Sequence, residues 1–245
     1  MKRILIIGDS WAIIPCQLWQ LQSVEQKNHY NHNFDNNVLD WLDFRLLSRG
    51  HSVSNRSFGG NSNWFQLTQA DAYLNAAKKH GFKIDLVIWF HTEVFRDLLT
   101  KDLSWLQSLG LEKTIEKIAT ETYEYATKLH NDFPETEWAI IGGHAPLVKN
   151  CEHILDWAKF KLSDYRSSIV GEKVVDCHTL SFTESRWEII KENNFLTLEE
   201  IIKELEKKQL TENMCSDVNK FYDGVHPSCS ENIKLSDMII EHFKL

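Results

Sequence analysis

Residues Lys2–Trp11 read KRILIIGDSW, an apolar run that stops abruptly at Gly8, Asp9 and Ser10. A short, continuous apolar run is typical of a strand that is buried on both faces, as strands are in parallel sheets. In such sheets the functional crevice lies beyond the carboxyl ends of the strands. The stretch therefore predicts a buried first strand that ends at the crevice with Ser10, while Asp9 is expected to have a structural role in its own turn.

The rest of the chain alternates apolar strands with helices that carry apolar side chains at helical spacing. Gly50 and Gly81 are expected to end the first two of these helices. A later helix is predicted to span Ile154 and Tyr165, and another helix closes the chain. The further predicted strands are His51–Ser57, Asp85–Phe90, Trp138–Gly143 and Lys173–Cys177.

This alternation predicts an α/β fold, a three-layer α/β/α sandwich around a central, mostly parallel five-stranded sheet. The chain has no internal repeat and no linker-like composition, so residues 1–245 are predicted to form a single domain. Three segments, at about 11–37, 96–112 and 180–222, exceed ordinary loop lengths. Each is predicted to leave the carboxyl end of a strand, and we therefore expect them to surround the crevice as insertions.

The composition argues against several classes of function. The formal net charge of −8 disfavours a nucleic-acid partner that binds a general basic field. No apolar run approaches the roughly 18–20 residues of a membrane span, and the stretch behind Lys2 is too short for a signal peptide. Five scattered cysteines form no CxxC pair, which disfavours a disulfide scaffold or a structural zinc site. We expect a cytoplasmic protein without a membrane or nucleic-acid partner, and its oligomeric state is left open.

A serine hydroxyl becomes a nucleophile when a base removes its proton and a third group orients that base. The segment DGVHP, Asp223–Pro227, places an aspartate three residues before a histidine, in a turn closed by a proline. Ser10 would face this pair across the crevice, in the chain order Ser, Asp, His. The backbone N–H groups of Ser10 and Gly60 are candidate donors to the oxyanion that such an attack creates.

Three motifs, taken in this order, resemble the SGNH (GDSL-type) hydrolase family: GDS at Gly8–Ser10, NRSFGGNS at Asn55–Ser62, and DGVHP. The resemblance implies a flavodoxin-like α/β/α sandwich and carboxylic ester hydrolysis without a cofactor. It implies these roles: Ser10 as the nucleophile, His226 as the base, Asp223 as the residue that orients the base, and Gly60 as an oxyanion donor.

The third motif of that family, GxND, is absent, and the stretch after the third strand reads HTEV, His91–Val94. Alignment on the strand places Glu93 where the family has an oxyanion-binding asparagine, and an ionised carboxylate would repel an oxyanion. Burial could keep Glu93 protonated, His91 could supply an N–H, or Asn61 or Asn63 could reach in from the second motif. We favour His91 or an asparagine, because each donates a hydrogen bond without an extreme pKa.

The sequence thus predicts a serine esterase or acylhydrolase that acts on an ester of a small or carbohydrate-like substrate through an acyl-enzyme. The alternative is a catalytically impaired module of the same fold that binds a glycan or a protein partner, since one motif is missing and the long loops are rich in aromatic residues. Trp11, Trp19, Trp64 and Trp105 are candidates for stacking on a sugar, although tryptophans more often anchor a core. His91, Glu93 and His144 also end strands, but no ligand spacing supports a metal site there.

Overall fold

The computed structural model describes residues 1–12, 41–59, 61–94, 96–97, 109, 111–143, 145–170, 227 and 229–245. In these residues the strands are β1 (Arg3–Ile7), β2 (Ser52–Asn55), β3 (Leu86–His91), β4 (Glu137–Gly142) and β5 (Phe160–Leu162). The α-helices are α1 (Leu42–Ser48), α2 (Asn63–Lys79), α3 (Leu111–Asp132), α4 (Tyr165–Val170) and α5 (Cys229–Phe243). Short 3₁₀ helices at Ser10–Ala12 and Glu152–Leu155 follow β1 and β4.

The strands form one parallel sheet in the order β2-β1-β3-β4-β5. This is the order of flavodoxin-like doubly wound sheets, in which the direction of winding reverses between β1 and β3. Ile6 of β1 pairs with Asn55 on one side and with Ile88 on the other. The residues after Ile7 therefore leave the sheet at the switch point, where ligands bind in this architecture.

The two faces of the sheet bury separate cores, because successive side chains along a strand point to opposite faces. One core packs against α2 and α3, and the other packs against α1, α4 and α5. This arrangement of helices on both faces of a five-stranded parallel sheet confirms the predicted α/β/α sandwich. From the sheet the first core takes Leu5, Ile7, Val87, Trp89, Trp138 and Ile140. The second takes Ile4, Ile6, Leu86, Ile88, Phe90, Ala139 and Ile141.

Two predicted helix ends are confirmed by glycines in the left-handed region of backbone space. Gly50 follows α1 with a φ of 82°, and Gly81 follows α2 with a φ of 75°. Residues with a Cβ are strained there, so glycine is the residue that lets the chain turn away from a helix at this point. The predicted strands at β1, β3 and β4 and the closing helix α5 are confirmed as well.

The end of the sheet is where the sequence prediction is wrong. A helix is predicted to span Ile154 and Tyr165, but β5 lies between them. Apolar side chains recur at helical spacing here because several short elements, rather than one helix, each turn a side chain inward. Ile154 contacts the first core from a 3₁₀ helix, whereas Phe160 and Tyr165 contact the second core from β5 and α4. The strand predicted at Lys173–Cys177 lies outside the described residues.

The long segments are described only in part. Helix α3 begins at Leu111, so the end of the predicted 96–112 insertion is helical. Residues 13–37 and 180–222 lie outside the described residues, and the division into a single domain with three insertions stays a prediction. Among the helices of the described ranges, none has the length and the apolar character that a membrane span needs.

The packing of α5 is tested by neighbouring substitutions on that helix. Ile239 is 0% exposed in the second core, whereas Met238 is 45% exposed. We expect Ile239→Ala to lower the free energy of unfolding by about 2–5 kcal/mol, because it removes buried methyl groups and leaves a cavity. Met238→Ala should change it by less than about 0.5 kcal/mol. Urea denaturation measures both values, and equal values for the two variants would contradict the packing of α5.

Candidate functional site

The turn that carries Ser10 is packed directly on β3. A 3₁₀ helix at Ser10–Ala12 follows β1 with only Gly8 and Asp9 between them. A Cβ at Gly8 would lie 2.7 Å from the Cβ of Ala12 and 2.8 Å from the Cβ of Phe90, which is closer than side chains approach one another. Gly8 therefore lets the Ser10 turn lie directly against β3. This contact sets the position of the Ser10 backbone.

The carboxylate of Asp9 holds this turn in place. Asp9 is 0% exposed, and its Oδ1 accepts a hydrogen bond from the Trp11 N–H at 2.9 Å. Its Oδ2 accepts from the Thr92 hydroxyl at 2.7 Å and from Arg96 Nη1 at 3.0 Å. These bonds confirm the structural role predicted for Asp9. They also connect the Ser10 turn to the segment that follows β3.

Thr92 and Arg96 are residues that the sequence reasoning missed. A buried carboxylate needs a cation and hydrogen-bond donors, because an unpaired buried charge is costly. Thr92 directly follows β3, and Arg96 lies four residues further on, so both reach the switch point from the same strand end. The polar residues after β3 were the available signal, but the sequence alone does not pair them with Asp9.

The second motif begins with a residue that fixes the same turn from the other side. Asn55 ends β2, and its Nδ2 donates to the Ala12 carbonyl at 2.8 Å. Its Oδ1 accepts from the Ser57 N–H at 3.0 Å. The Phe58 N–H donates to the Gly8 carbonyl at 3.2 Å. The Ser10 turn is thus hydrogen-bonded to the loops that follow both strands beside β1.

Asn61 occupies a turn that is held by its backbone. Its N–H donates to the Phe58 carbonyl at 3.1 Å, and its carbonyl accepts from Gln66 Nε2 at 3.4 Å. Gln66 is in turn fixed by Trp89, whose Nε1 donates to Gln66 Oε1 at 2.8 Å. Asn61 is 9% exposed, and its side-chain Nδ2 is buried without a hydrogen-bond partner in the part of the chain that the structure describes. Gly60, which precedes it, lies outside the described residues.

Asn63 has its side-chain N–H groups bonded within the protein, and its role at the oxyanion stays a prediction. The side chain is 0% exposed, and its Oδ1 accepts from the Thr92 N–H at 2.8 Å. Its Nδ2 donates to the Thr92 carbonyl at 2.9 Å and contacts Asp97 Oδ2 at 3.3 Å. Asp97 Oδ1 also accepts from the Trp64 N–H at 2.7 Å, which places a carboxylate at the amino terminus of α2. Asn63 therefore joins α2 to the end of β3.

His91 has both ring nitrogens bonded within the protein, and its role as an oxyanion donor stays a prediction. The ring is 0% exposed, with Nδ1 3.3 Å from the Ala145 carbonyl and Nε2 3.2 Å from the Tyr123 hydroxyl. Because a carbonyl can only accept, Nδ1 carries the proton and Nε2 accepts from Tyr123. The Tyr123 hydroxyl itself accepts from the Val148 N–H at 3.0 Å. Burial lowers the pKa of His91 from 6.5 to about 4, so the ring is neutral at pH 7.

Glu93 follows Thr92 at the same strand end and is 3% exposed. Its backbone carbonyl accepts from the Arg96 N–H at 3.2 Å, which closes the turn that brings Arg96 back to Asp9. Glu93 therefore lies beside the group that holds the Ser10 turn. Protonation of its carboxyl group stays a prediction.

The remaining candidate residues fall wholly or partly outside the described structure. Asp223, His226 and His144 lie outside the described residues, and only the backbone of Ser10 is described. Pro227, which follows His226, is buried, and its carbonyl accepts from Asn232 Nδ2 of α5 at 3.3 Å.

The segment beside His226 and the turn of Ser10 meet at one tyrosine, Tyr165. The ring of Trp11 packs edge-on against the ring of Tyr165, with centroids 6.1 Å apart. The Tyr165 hydroxyl donates to the Glu231 carbonyl at 2.8 Å, one residue before Asn232. Burial raises the pKa of Tyr165, which keeps the hydroxyl protonated as a donor. Trp11, next to Ser10, is therefore joined through Tyr165 to the first turn of α5, which also contacts Pro227.

The role of Asp9 is tested by its removal. We expect Asp9→Ala to lower the free energy of unfolding by about 3–5 kcal/mol, because it leaves the Arg96 guanidinium and two further donors without their buried acceptor. Lys117→Ala, which removes an exposed i,i+4 pair with Glu121, is the control and should cause no measurable change. Urea denaturation measures both variants. A loss for Asp9→Ala no larger than that of the control would show that the carboxylate does not hold the turn.

The buried state of His91 is tested by pH. Between pH 6.5 and about 4 the unfolded chain binds a proton at His91 that the folded protein does not. Stability should therefore fall as pH falls through this window, with a contribution of up to about 1.4 kcal/mol per pH unit. In His91→Gln this contribution should be absent, so the difference in unfolding free energy between wild type and variant should shrink from pH 7 to pH 4. Exposed His80→Gln serves as the control, and a variant with the wild-type slope would contradict the assignment.

No protein-family model matches the chain, and no curated protein is similar to it. Similar solved structures include the psychrotrophic esterase EstA from Pseudoalteromonas sp., with a TM-score of 0.47 and 11% identity over 100% of this chain and 97% of that chain. The lipase/acylhydrolase from Enterococcus faecalis has a TM-score of 0.47 and 12% identity over 100% and 96% of the two chains. A putative lipolytic protein of the G-D-S-L family from Desulfitobacterium hafniense has a TM-score of 0.43 and 10% identity over 99% of each chain.

Because each of these TM-scores lies below 0.5, the fold is assigned from the strand order of this chain itself.

Proposed function

We propose that this chain is a serine esterase or acylhydrolase that acts on an ester of a small or carbohydrate-like substrate. Ser10 is the nucleophile, His226 is the general base, and Asp223 orients His226. The observation that carries the proposal is the contact through Tyr165, which joins Trp11, next to Ser10, to the segment beside His226. This contact supports a site in which residues from opposite ends of the chain act together.

In the proposed reaction, Ser10 Oγ attacks the ester carbonyl carbon while His226 takes the hydroxyl proton. The new C–O bond forms as the carbonyl π electrons move to oxygen and create an oxyanion. Collapse of this intermediate breaks the bond to the alcohol oxygen, which leaves with the proton from His226. Water then attacks the acyl-enzyme and gives a proton to His226, and a second collapse returns a proton to Ser10 and releases the carboxylic acid. The steps use side chains alone and require no cofactor.

The hydrogen bonds of the Ser10 turn support a preorganised nucleophile. Asp9 and Asn55 hold the turn at both of its ends, and Gly8 packs it against β3. A backbone held in this way presents the N–H of Ser10 in one orientation, where it donates to the oxyanion together with the N–H of Gly60. Donors that are fixed before the reaction stabilise the transition state without a reorganisation cost.

Trp11 and Trp64 do not add support for a surface on which a sugar ring would stack. The ring of Trp64 packs on Tyr125 with centroids 4.8 Å apart, and the ring of Trp11 packs on Tyr165. Both therefore serve as anchors within the protein. The carbohydrate-like substrate is proposed from the polar residues at the end of the second motif, where Asn61 has a side-chain donor without a partner among the described residues.

A second candidate function is a module of the same fold that binds a glycan or protein partner without hydrolysis. The buried carboxyl of Glu93, at the position where the resembled family has an asparagine, favours this candidate. Such a module would bind its partner equally well after Ser10→Ala, whereas an esterase would lose its turnover.

The proposed nucleophile is tested with an ester substrate and a covalent probe. Wild-type protein should hydrolyse p-nitrophenyl acetate and react with a fluorophosphonate probe. Ser10→Ala should abolish labelling and lower kcat by about 10⁴–10⁶-fold, because residues of a catalytic triad act as a unit. Ser48→Ala, on the far end of α1, should behave as wild type. A folded wild-type protein that neither turns over the ester nor reacts with the probe would contradict the proposal.

A further inference from the structure

We infer that the side-chain amide of Asn61 donates a hydrogen bond to the substrate oxyanion, in place of the missing third-motif asparagine. The inference rests on the proposed ester hydrolysis and names a catalytic residue for it. It starts from an unusual feature of Asn61. The Nδ2 atom is buried, and no hydrogen-bond partner for it exists among the residues that the structure describes.

Burial without a partner is costly for an amide, and most buried polar side chains avoid it. Asn63, which lies just beyond the second motif, follows the general rule, because both ends of its amide are bonded to Thr92. A mobile backbone does not explain the unpaired side-chain amide, because the backbone N–H and carbonyl of Asn61 are both hydrogen-bonded. A fixed backbone with an unused buried donor is the arrangement expected of a group that receives its acceptor from a ligand.

Two of the alternatives from the sequence, Asn63 and His91, use their side-chain donors within the protein. Asn63 uses its amide to join α2 to the end of β3, and His91 uses Nδ1 on the Ala145 carbonyl. The His91 ring and the Asn63 amide are thus hydrogen-bonded within the protein, whereas Asn61 Nδ2 has no partner among the described residues. Of the three candidates His91, Asn61 and Asn63, Asn61 is the one whose side-chain N–H groups have no partner among the described residues.

The position of Asn61 fits this role. The turn from Phe58 to Asn61 is closed by the Asn61 N–H on the Phe58 carbonyl. The same turn is bonded to β1, because the Phe58 N–H donates to the carbonyl of Gly8, two residues before Ser10. Asn61 therefore belongs to a loop that is directly attached to the nucleophile turn, at the carboxyl edge of the sheet.

Gln66 and Trp89 supply the rigidity that such a donor needs. Gln66 bonds the carbonyl of Asn61, and both Gln66 and Trp89 are 0% exposed. An amide is neutral at every working pH, so it can donate to an oxyanion without a shifted pKa. In a site shielded from water, one preorganised donor of this kind has a large effect on the transition state and little effect on the bound ester.

The test compares Asn61→Ala and Asn61→Asp with Asn75→Ala, an exposed asparagine of α2 whose amide bonds only Asp71. With p-nitrophenyl acetate we expect Asn61→Ala to lower kcat by about 10²–10³-fold with little change in KM, as for other lost oxyanion donors. Asn61→Asp keeps the shape but replaces the donor with a carboxylate, so its kcat should be at least as low. Asn75→Ala should match wild type.

Thermal unfolding separates this role from a structural one. Asn61→Ala removes no hydrogen bond to another described residue, so its Tm should equal or exceed that of wild type. A low kcat together with an unchanged or raised Tm supports the inference. A kcat equal to that of Asn75→Ala, or a parallel fall of kcat and Tm, overturns it while Ser10-dependent turnover leaves the proposed function standing. If wild type shows no turnover and no fluorophosphonate labelling, the proposed function fails and the inference fails with it.

Discussion

The buried carboxylate of Asp9 is the interaction on which the site depends. A fully buried charge is tolerated only when donors and a cation surround it, and Asp9 receives bonds from its own turn, from Thr92 and from Arg96. Each of these partners comes from an element that the sheet order brings to the switch point. The conformation of the Ser10 turn is therefore set by the tertiary structure around Asp9 as well as by the local sequence.

A second set of buried polar groups extends from this point to α2. Asn63 bonds both backbone groups of Thr92, and Asp97 bonds Asn63 and the amino terminus of α2. In a low-dielectric interior a polar network specifies one geometry when each of its groups is satisfied. The amide of Asn61 departs from this rule at the place where a substrate would supply the acceptor, and departures of this kind are found at functional sites.

The absence of the GxND motif has a structural counterpart in His91. Its side chain points to the core side of β3, where Tyr123 and the loop after β4 satisfy both ring nitrogens. Burial lowers the pKa of His91 and keeps the ring neutral, although the bond to the Ala145 carbonyl acts in the opposite direction. The end of β3 thus contributes two groups, His91 and Thr92, that are bonded within the protein.

The sequence by itself determined the elements whose signals are local. Continuous apolar runs specified β1, β3 and β4, and glycines in the left-handed region specified the ends of α1 and α2. It could not specify β5, because apolar side chains from three short elements between Ile154 and Tyr165 recur at the spacing of a single helix. It identified the candidate donors His91, Asn61 and Asn63 by residue type alone.

Only the tertiary structure decided which of those candidate donors are bonded within the protein, and it revealed the partners of Asp9. Hydrogen-bond saturation depends on which strand ends meet, and in this sheet the order β2-β1-β3-β4-β5 brings together residues that are far apart in the chain. Asn63 and Thr92 are bonded although 29 residues separate them, and Asp9 and Arg96 are bonded although 87 residues separate them. Periodicity reports what one element buries, whereas the availability of a donor depends on every group packed around it.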